Sequence, residues 1–316
     1  MDTSAVLRGG LLRLSRSSRV RDLVLSTPVS REVVRRYVPG ESTQAAVKAA
    51  AALAETGRCA SIDYLGEDTT DLDRARHTRD EYVELLRSLA EAGLTAGGTV
   101  EVSVKLSAIG QALPGEGERV ALTHARDICR AAANAGTTVT LDMEDHTTAD
   151  STLAVLRELR QDFPWVGAVL QSYLRRTEAD CRDLSYEGSR VRLCKGAYDA
   201  PDRVAYQDAA DVDKSYVRCL KVLMAGPGYP MVASHDPRLV EIAQALAKQQ
   251  GRESGSFEYQ MLYGIRTEEQ KRIADRGDRM RVYLPYGQDW YGYLMRRMAE
   301  RPANAMFFLR SLAGRS

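Results

Sequence analysis

The amino-acid sequence predicts an α/β protein built as one (β/α)₈ barrel. The first observation is a set of eight short runs rich in Val, Ile, Leu and Tyr, each flanked by Gly, Pro, Ser or Asp. The second is that segments of helical length separate these runs, an alternation typical of parallel strands joined by helical crossovers. Eight such units within 316 residues fit a single closed barrel.

The strands and helices can be placed along the chain. The predicted strands span residues 59–64, 99–105, 137–143, 166–171, 190–195, 230–235, 257–261 and 279–284. The helices predicted between them span residues 71–92, 118–135, 149–163, 177–184, 202–224, 237–250 and 267–275. A helix over residues 43–56 begins after the capping Ser42, and a last one over residues 290–301 ends before Pro302. A doubly wound open sheet is the alternative fold, although it more often has a glycine-rich first turn, which this sequence lacks.

The first forty residues are predicted as a helical arm, and residues 41–316 as the barrel domain. Pro39 and Gly40 break the chain between the two. The arm is rich in arginine and has a partial apolar stripe. It is either a solvated basic face packed on the barrel or a basic amphipathic segment that contacts an anionic membrane surface.

The composition narrows the classes of function. A net charge of +1 provides no electrostatic basis for binding nucleic acid. The five cysteines are scattered without a C-x-x-C pair, which is typical of reduced thiols in a cytosolic protein. The four histidines lack the spacing of a metal site, and no apolar run is long enough to span a membrane. The N-terminus does not have the pattern of a secretory signal.

Polar side chains recur where the predicted strands end. In a (β/α)₈ barrel the chemistry takes place at the carboxyl ends of the strands, so these side chains are expected to line one pocket. Lys105, Arg192 and Lys195 could bind anionic groups of a substrate or cofactor. Asp142 is either their counter-ion or a carboxylate that orients the substrate. Structural ion pairing with barrel arginines is an equally open explanation for Asp142 and Glu144.

Two adjacent arginines, Arg296 and Arg297, stand out in the last predicted helix, close in sequence to the aromatic residues Tyr283 and Tyr293. Guanidinium groups offer planar paired donors, so the pair suggests capture of a small carboxylate. The alternative is a solvated helix face on which Arg296 pairs with Glu300 at i,i+4 spacing.

As a set, the motifs at the strand ends resemble those of the proline dehydrogenase family. They are Val-Lys105-Leu-Ser, Leu-Asp142-Met-Glu, Arg192-Leu-Cys-Lys195-Gly-Ala-Tyr198, Ser234-His235, Phe-Glu-Tyr-Gln260-Met-Leu262-Tyr-Gly, and Arg281-Val-Tyr283-Leu-Pro-Tyr-Gly followed by Arg296-Arg297-Met-Ala-Glu300. They occur in family order over residues 57–312, and their specificity lies in the combination rather than in any one motif.

The resemblance implies a distorted barrel whose last helix lies over the mouth, with FAD bound non-covalently at the strand ends. It implies oxidation of L-proline to Δ1-pyrroline-5-carboxylate by hydride transfer to the flavin, in which the protein mainly positions the substrate. The implied substrate contacts are Lys105, Tyr198, Leu262, Tyr283, Arg296 and Arg297. The implied catalytic residues are Asp142 and Arg192, and the implied cofactor contacts are Met143, Gln171, Arg192, Cys194, Lys195, Gly196, Ala197, Ser234, His235 and Glu300.

The sequence departs from the family pattern at a few positions. Asp199 stands where large bifunctional members usually carry Trp, and Cys194 stands where Val is usual. Ser234 and Asp236 replace the more frequent Thr and Asn. Tyr283 matches the proline-specific pattern, so proline is the expected substrate. The chain ends soon after the arginine helix, as in the monofunctional bacterial form, which has no aldehyde dehydrogenase domain or DNA-binding segment.

The family also implies that the electrons pass to a quinone, and that the protein is cytoplasmic or lies peripherally on the inner face of the membrane. Two other functions remain open from the residues alone. Lys105 or Lys195 could form a Schiff base, as in barrel aldolases. The arginine-rich arm could instead make the chain a non-enzymatic protein that docks on membranes or partners.

Overall fold

Eight parallel strands close into a barrel in the computed structural model, which describes residues 34–300 and, within them, the side chains of residues 34–297. The strands are β1 (Cys59–Tyr64), β2 (Val100–Val104), β3 (Val139–Leu141), β4 (Gly167–Gln171), β5 (Arg190–Cys194), β6 (Tyr229–Ala233), β7 (Glu258–Leu262) and β8 (Met280–Tyr286). They pair in chain order, and β8 pairs with β1. The predicted (β/α)₈ barrel is confirmed, and closure of the sheet excludes the doubly wound alternative.

Helices precede, separate and follow the strands at the predicted places. They are α1 (Thr43–Ala54), α2 (Leu72–Glu91), α3 (Gly117–Asn134), α4 (Ala149–Asp162), α5 (Thr177–Asp183), α6 (Ala209–Ala225), α7 (Pro237–Gln249), α8 (Thr267–Asp275) and α9 (Trp290–Glu300). Several begin at the capping residues that the sequence offers. The side chains of Ser42, Asp71, Asp208 and Asp236 accept hydrogen bonds from backbone N–H groups in the first turns of α1, α2, α6 and α7.

The helix predicted over residues 202–224 is too long at its start. The structure begins it at Ala209, after the cap Asp208. The segment before the cap is held against the loop after β4, where the Tyr206 N–H donates to the Tyr173 carbonyl at 2.8 Å. Because this hydrogen bond joins parts of the chain that are distant in sequence, local pattern could not reveal it.

Charged side chains occupy much of the barrel interior. Residues such as Ile62, Val102 and Leu193 are fully buried on the outer faces of the strands, in the core shared with the helices. The alternate positions place four carboxylates and four cations in the interior, namely Asp63, Glu101, Asp142 and Glu258 with Lys105, Arg190, Arg192 and Arg281. Most barrels fill this space with branched aliphatic side chains. Here the buried charges are tolerated because each has a partner of opposite sign.

Helix α9 lies at the rim of the barrel, near the carboxyl end of β1. Its Trp290 and Leu294 are buried with Leu65 in a hydrophobic cluster separate from the barrel core. On the same helix, Arg296 Nη1 forms an ion pair with Glu67 Oε1 at 2.6 Å. The last helix therefore approaches the barrel at the end where the strands terminate, as the fold prediction required.

The predicted division at residue 40 stays a prediction, because residues 1–33 and 301–316 lie outside the described residues. Residues 34–37 are helical, and Tyr37 and Val38 belong to the hydrophobic cluster of α9. Within the described range, none of the helices combines the length and the apolar character needed to cross a membrane.

Candidate active site

Four side chains predicted from the strand ends meet inside the carboxyl end of the barrel. Arg192 Nη1 donates to Asp142 Oδ1 at 2.8 Å, and the Tyr283 hydroxyl donates to Asp142 Oδ2 at 2.7 Å. Lys105 Nζ lies 3.3 Å from the Tyr283 hydroxyl. Asp142 thus joins residues that follow or belong to β2, β3, β5 and β8. Its contact with Arg192 also confirms the ion pair that the sequence left open.

Asp63 of β1 completes this cluster and was missed by the sequence reasoning. Its Oδ2 accepts from Lys105 Nζ at 2.5 Å, whereas Asp142 Oδ2 lies 3.8 Å from the same nitrogen. Asp63 is fully buried. The available signal was a single carboxylate inside an otherwise uncharged strand, Cys-Ala-Ser-Ile-Asp-Tyr, which is costly to bury without a cation nearby.

Burial and ion pairing act in opposite directions on the pKa values of this cluster, and burial raises the pKa of Asp63 although Lys105 opposes the shift. Burial alone would lower the pKa of Lys105, but the Asp63 and Asp142 carboxylates raise it above its ordinary value. Burial also raises the pKa of Tyr283 well above its ordinary value, and Asp142 adds to the effect. At neutral pH the site therefore contains a lysine cation and a phenol that donates its proton to Asp142.

The guanidinium of Arg192 is held on both terminal nitrogens. Nη1 donates to Ser103 Oγ at 2.8 Å as well as to Asp142, and Nη2 donates to Ser61 Oγ at 2.9 Å. The centre of the Tyr283 ring lies 5.4 Å from the guanidinium carbon of Arg192. Arg192 is 2% exposed, and its Nε has no hydrogen-bond partner among the described residues.

The paired arginines of α9 have different contacts. Arg296 pairs with Glu67, which follows β1, and the Arg297 guanidinium lies 5.2 Å from the centre of the Tyr293 ring. Both arginines are half-buried, so the interpretation of this helix face as fully solvated is wrong. Arg296 has a carboxylate partner on another element, which sequence spacing could not indicate. The side chain of Glu300, its predicted partner, lies outside the described side chains.

Two further residues predicted to contact the substrate are Tyr198, which follows β5, and Leu262, which ends β7. Tyr198 is half-buried, and burial together with the nearby Glu144 and Glu67 raises its pKa above the ordinary value. Leu262 is the last residue of β7 and is the register partner of Tyr283 in β8. Its backbone N–H donates to His235 Nε2 at 2.9 Å, so this ring nitrogen of His235 is an acceptor.

The ends of β4, β5 and β6 form a second group of predicted site residues. Gln171 Nε2 donates to the Glu144 carbonyl at 2.8 Å, next to the buried Met143. Lys195 Nζ pairs with Asp213 Oδ1 at 2.6 Å, and also with Asp236. Of the remaining predicted contacts, Cys194, Gly196, Ala197 and Ser234 follow or end β5 and β6, with Ser234 buried and Ala197 exposed.

Gly196 is required by its surroundings. It has a φ of +103°, and a Cβ atom there would lie 2.2 Å from the ring carbon Cδ1 of Tyr173. The Tyr173 N–H in turn donates to the Lys195 carbonyl at 2.8 Å. The glycine therefore lets the Tyr173 ring pack closely against the turn after β5.

Glu144 is buried beside this second group. Its two carboxyl oxygens accept from the Ser107 N–H at 3.1 Å and the Ser107 hydroxyl at 2.6 Å. These contacts replace the arginine pair that one interpretation of the sequence expected. Burial raises the pKa of Glu144 to about 7 despite these hydrogen bonds.

Known proteins of similar sequence cover most of this chain. A family model described as proline dehydrogenase matches residues 46–310. "Proline dehydrogenase 1" of Bacillus subtilis (strain 168) is 40% identical over 278 residues, which cover 88% of this chain and 90% of that protein. The chain belongs to the proline dehydrogenase family. A "Proline dehydrogenase" of Deinococcus radiodurans is 41% identical over 282 residues, covering 89% and 90% of the two chains.

A solved structure with the same fold supports the family assignment. It is proline utilization A from Bdellovibrio bacteriovorus inactivated by N-propargylglycine, with a TM-score of 0.79 and 27% identity. The match covers 91% of this chain and 34% of that one, so the present chain corresponds to about a third of the larger protein. The resemblance drawn from the motifs is confirmed at the level of the family and the fold.

The strand ends around Asp142 and Arg192 have features that fit a flavin ligand. Two buried polar atoms, the Tyr173 hydroxyl and Arg192 Nε, have no hydrogen-bond partner within the described part of the chain. An unpartnered buried donor costs free energy unless a ligand or water satisfies it. Tyr173 lies in the loop after β4, and Arg192 lies on β5. A ring system with acceptor atoms suits these two donors.

Proposed function

We propose that this proline dehydrogenase family member oxidises L-proline to Δ1-pyrroline-5-carboxylate with FAD as its bound cofactor. The observation that carries the proposal is the buried cluster of Lys105, Asp142, Arg192 and Tyr283 at the strand ends of a family barrel. A Schiff-base aldolase is disfavoured, because the two carboxylates beside Lys105 keep its amine protonated and therefore poorly nucleophilic.

The cofactor is proposed to lie across the ends of β4, β5 and β6. Its contacts would come from Met143, Gln171, Arg192, Cys194, Lys195, Gly196, Ala197, Ser234, His235 and Glu300. When bound, FAD supplies the acceptor for the hydride that leaves C5 of proline. Support comes from the buried unpartnered atoms of Tyr173 and Arg192 and from the close turn that Gly196 permits.

The substrate carboxylate is proposed to be held by Arg296, Arg297 and Lys105. Their positive charges suit a small anion, and guanidinium groups bind carboxylates with paired donors. Tyr283 would form the wall against the pyrrolidine ring, with Leu262 and Tyr198 on its other sides. Holding the carboxylate fixes the ring carbon that reacts, and the surrounding buried side chains exclude water.

Arg192 and Asp142 are proposed as the catalytic pair. During oxidation the hydride would leave C5 for the bound flavin, the lone pair of the neutral amine would form the C=N bond, and the resulting iminium would release its proton to water. Arg192 would stabilise the negative charge that develops on the reduced ring system. Asp142 would hold both Arg192 and the Tyr283 hydroxyl in place, because it accepts from each at 2.8 and 2.7 Å.

The experiment that tests this function is anaerobic reduction by substrate. The purified protein should carry a yellow chromophore released as FAD on denaturation, and L-proline should bleach it without oxygen. A colourless protein that cannot be reconstituted with FAD would refute the proposal. Trapping of a covalent carbonyl adduct by borohydride would instead favour the aldolase.

The carboxylate clamp has its own test. Arg296→Ala and Arg297→Ala should each raise the KM for proline by a factor equivalent to about 2–3 kcal/mol, because a charge-assisted contact is lost. Arg119→Ala, on the exposed face of α3, is the matched control and should leave KM unchanged. Normal KM values in both α9 variants would reject the clamp.

The remaining proposals concern location and electron transfer. We place the protein in the cytoplasm, with transient attachment to the inner face of the membrane, where a quinone accepts the electrons. The arginine-rich residues 1–38 supply the positive charge for such attachment. Deletion of these residues should therefore reduce the fraction of the protein that sediments with anionic vesicles. Equal binding with and without them would contradict the proposal.

A further inference from the structure

Glu101 of β2 is a fully buried carboxylate in the barrel interior, next to Arg192. Its Oε1 accepts from Ser61 Oγ at 3.1 Å and lies 3.6 Å from Arg192 Nη2. Its Oε2 accepts from Arg190 Nη2 at 2.5 Å and from Thr138 Oγ1 at 2.8 Å. The proposed roles of the strand-end residues leave Glu101 without a function.

The donors and acceptors in the hydrogen bonds that link Arg192, the two serines and the two carboxylates follow from the chemistry of each group. A guanidinium can only donate, so Ser61 and Ser103 must accept from Arg192 with their lone pairs. Each serine then has one proton left, and it points to a carboxylate: Ser61 to Glu101 at 3.1 Å, and Ser103 to Asp142 at 2.8 Å. Nη2 is therefore linked to Glu101 through the Ser61 hydroxyl, and Nη1 is linked to Asp142 both directly and through the Ser103 hydroxyl.

The two anions differ in what else they bind. Asp142 also accepts from Tyr283 and lies 3.8 Å from Lys105, so a bound substrate would compete for its contacts. Glu101 is 0% exposed and faces only groups of the barrel interior among the described residues. It can therefore stay in place as a counter-charge to Arg192 while the contacts of Asp142 change.

We propose that Glu101, acting through the Ser61 hydroxyl, is a positioning residue that holds the Arg192 guanidinium in its reactive orientation. Register supports the arrangement, because Ser61 and Glu101 are direct partners in the β1–β2 ladder and so point to the same side of the sheet. The inference rests on the proposed role of Arg192 in the oxidation for its kinetic consequences. Its structural consequence, a single fixed position of the guanidinium, does not depend on that role.

The test uses Ser61→Ala, which removes the connection without removing a buried charge. In the holoenzyme, kcat should fall by about tenfold to a hundredfold while the KM for proline changes little, because a misplaced catalytic group loses rate rather than substrate binding. The reduction potential of the bound flavin should become more negative. Ser61→Thr keeps the hydroxyl and should restore both values.

Thr138→Val is the matched control. It removes another hydrogen bond of Glu101, at 2.8 Å, from a residue that does not contact Arg192. It should lower the melting temperature about as much as Ser61→Ala but leave kcat and the flavin potential unchanged. Equal kinetic losses in the two variants, or unchanged kcat in Ser61→Ala, would overturn the inference.

A crystallographic comparison separates this inference from the proposed function. The guanidinium of Arg192 should occupy one position in the parent protein and a shifted or divided position in Ser61→Ala. An unchanged position would refute the inference whatever the activity. If the parent protein fails to oxidise proline, the proposed function is rejected, and the position of Arg192 still decides whether Glu101 and Ser61 hold it.

Discussion

Glu144 should make the stability of this protein fall as the pH rises. Its side chain is buried, with 6% exposed, and burial raises its pKa from 4.5 to about 7. Below pH 4.5 the carboxyl is protonated in both the folded and the unfolded chain, and it contributes nothing to the pH dependence. Between 4.5 and 7 the unfolded chain loses the proton first, which favours unfolding. The full cost, present above pH 7, is about 3 kcal/mol.

The perturbation that isolates this effect is Glu144→Gln. An amide can accept from the Ser107 N–H and donate to the Ser107 hydroxyl, which already accepts from the Asp68 N–H at 3.0 Å. The variant therefore resembles the protonated carboxyl, which can also donate to the Ser107 hydroxyl oxygen, and it loses the titrating proton. The measurement is the free energy of unfolding in denaturant from pH 4.5 to 8 for variant and parent.

The difference between the two proteins should grow with pH. We expect similar stability near pH 4.5 and a gain of about 3 kcal/mol for the variant at pH 8. The exposed Glu187→Gln should give a difference that stays near zero throughout. A pH-independent difference for Glu144→Gln would refute the reasoning, because it would mean that Glu144 ionises equally easily in the folded and unfolded chains.

Three further predictions concern stability, cofactor retention and substrate affinity. Arg252→Ala should lower the free energy of unfolding by about 2–4 kcal/mol in denaturant titration, because five partly buried carbonyl acceptors lose their donor; these are the carbonyls of Leu223, Met224, Gly226, Gly228 and Ser256. A loss as small as that of an exposed arginine would contradict this. Gly196→Ala should cost about 1–3 kcal/mol and reduce the flavin content after gel filtration, since the new Cβ displaces the Tyr173 ring; full retention of flavin would argue against contact between this turn and the cofactor. Asp63→Asn should lower the pKa of Lys105, because burial is then opposed mainly by Asp142. The increase of KM for proline with rising pH should therefore begin at a lower pH in this variant than in the parent. Identical pH profiles would show that Asp63 does not maintain the charge of Lys105.

The fold class was predictable because its signals are local and repeated. Eight buried strands alternate with amphipathic helices, and several helices begin at a capping residue next to them in sequence, such as Ser42 or Asp208. The start of α6 was predicted too early because the contact that decides it is not local. The segment before it is held by the Tyr206–Tyr173 backbone hydrogen bond, which joins residues more than thirty positions apart.

The members of the candidate site could also be found in the sequence, because barrel chemistry collects at strand ends. Lys105, Asp142, Arg192 and Tyr283 were predicted to share a pocket, and they form one cluster around Asp142. Their role in proline oxidation remains a proposal. Asp63 was not predicted, because the lysine that neutralises it follows another strand and is brought beside it only by the fold.

The sequence by itself determined the alternation of strands and helices, the membership of the family and the types of side chain at the strand ends. Tertiary structure decided which charges neutralise one another. Arg296 pairs with Glu67 across the rim, and Arg192 is tied through Ser61 to Glu101. The physical reason is that closure of the barrel brings β1 beside β8 and points the alternate residues of all strands into one buried space. There, the short range of hydrogen bonds and the cost of an unpaired buried charge select partners that are distant in sequence.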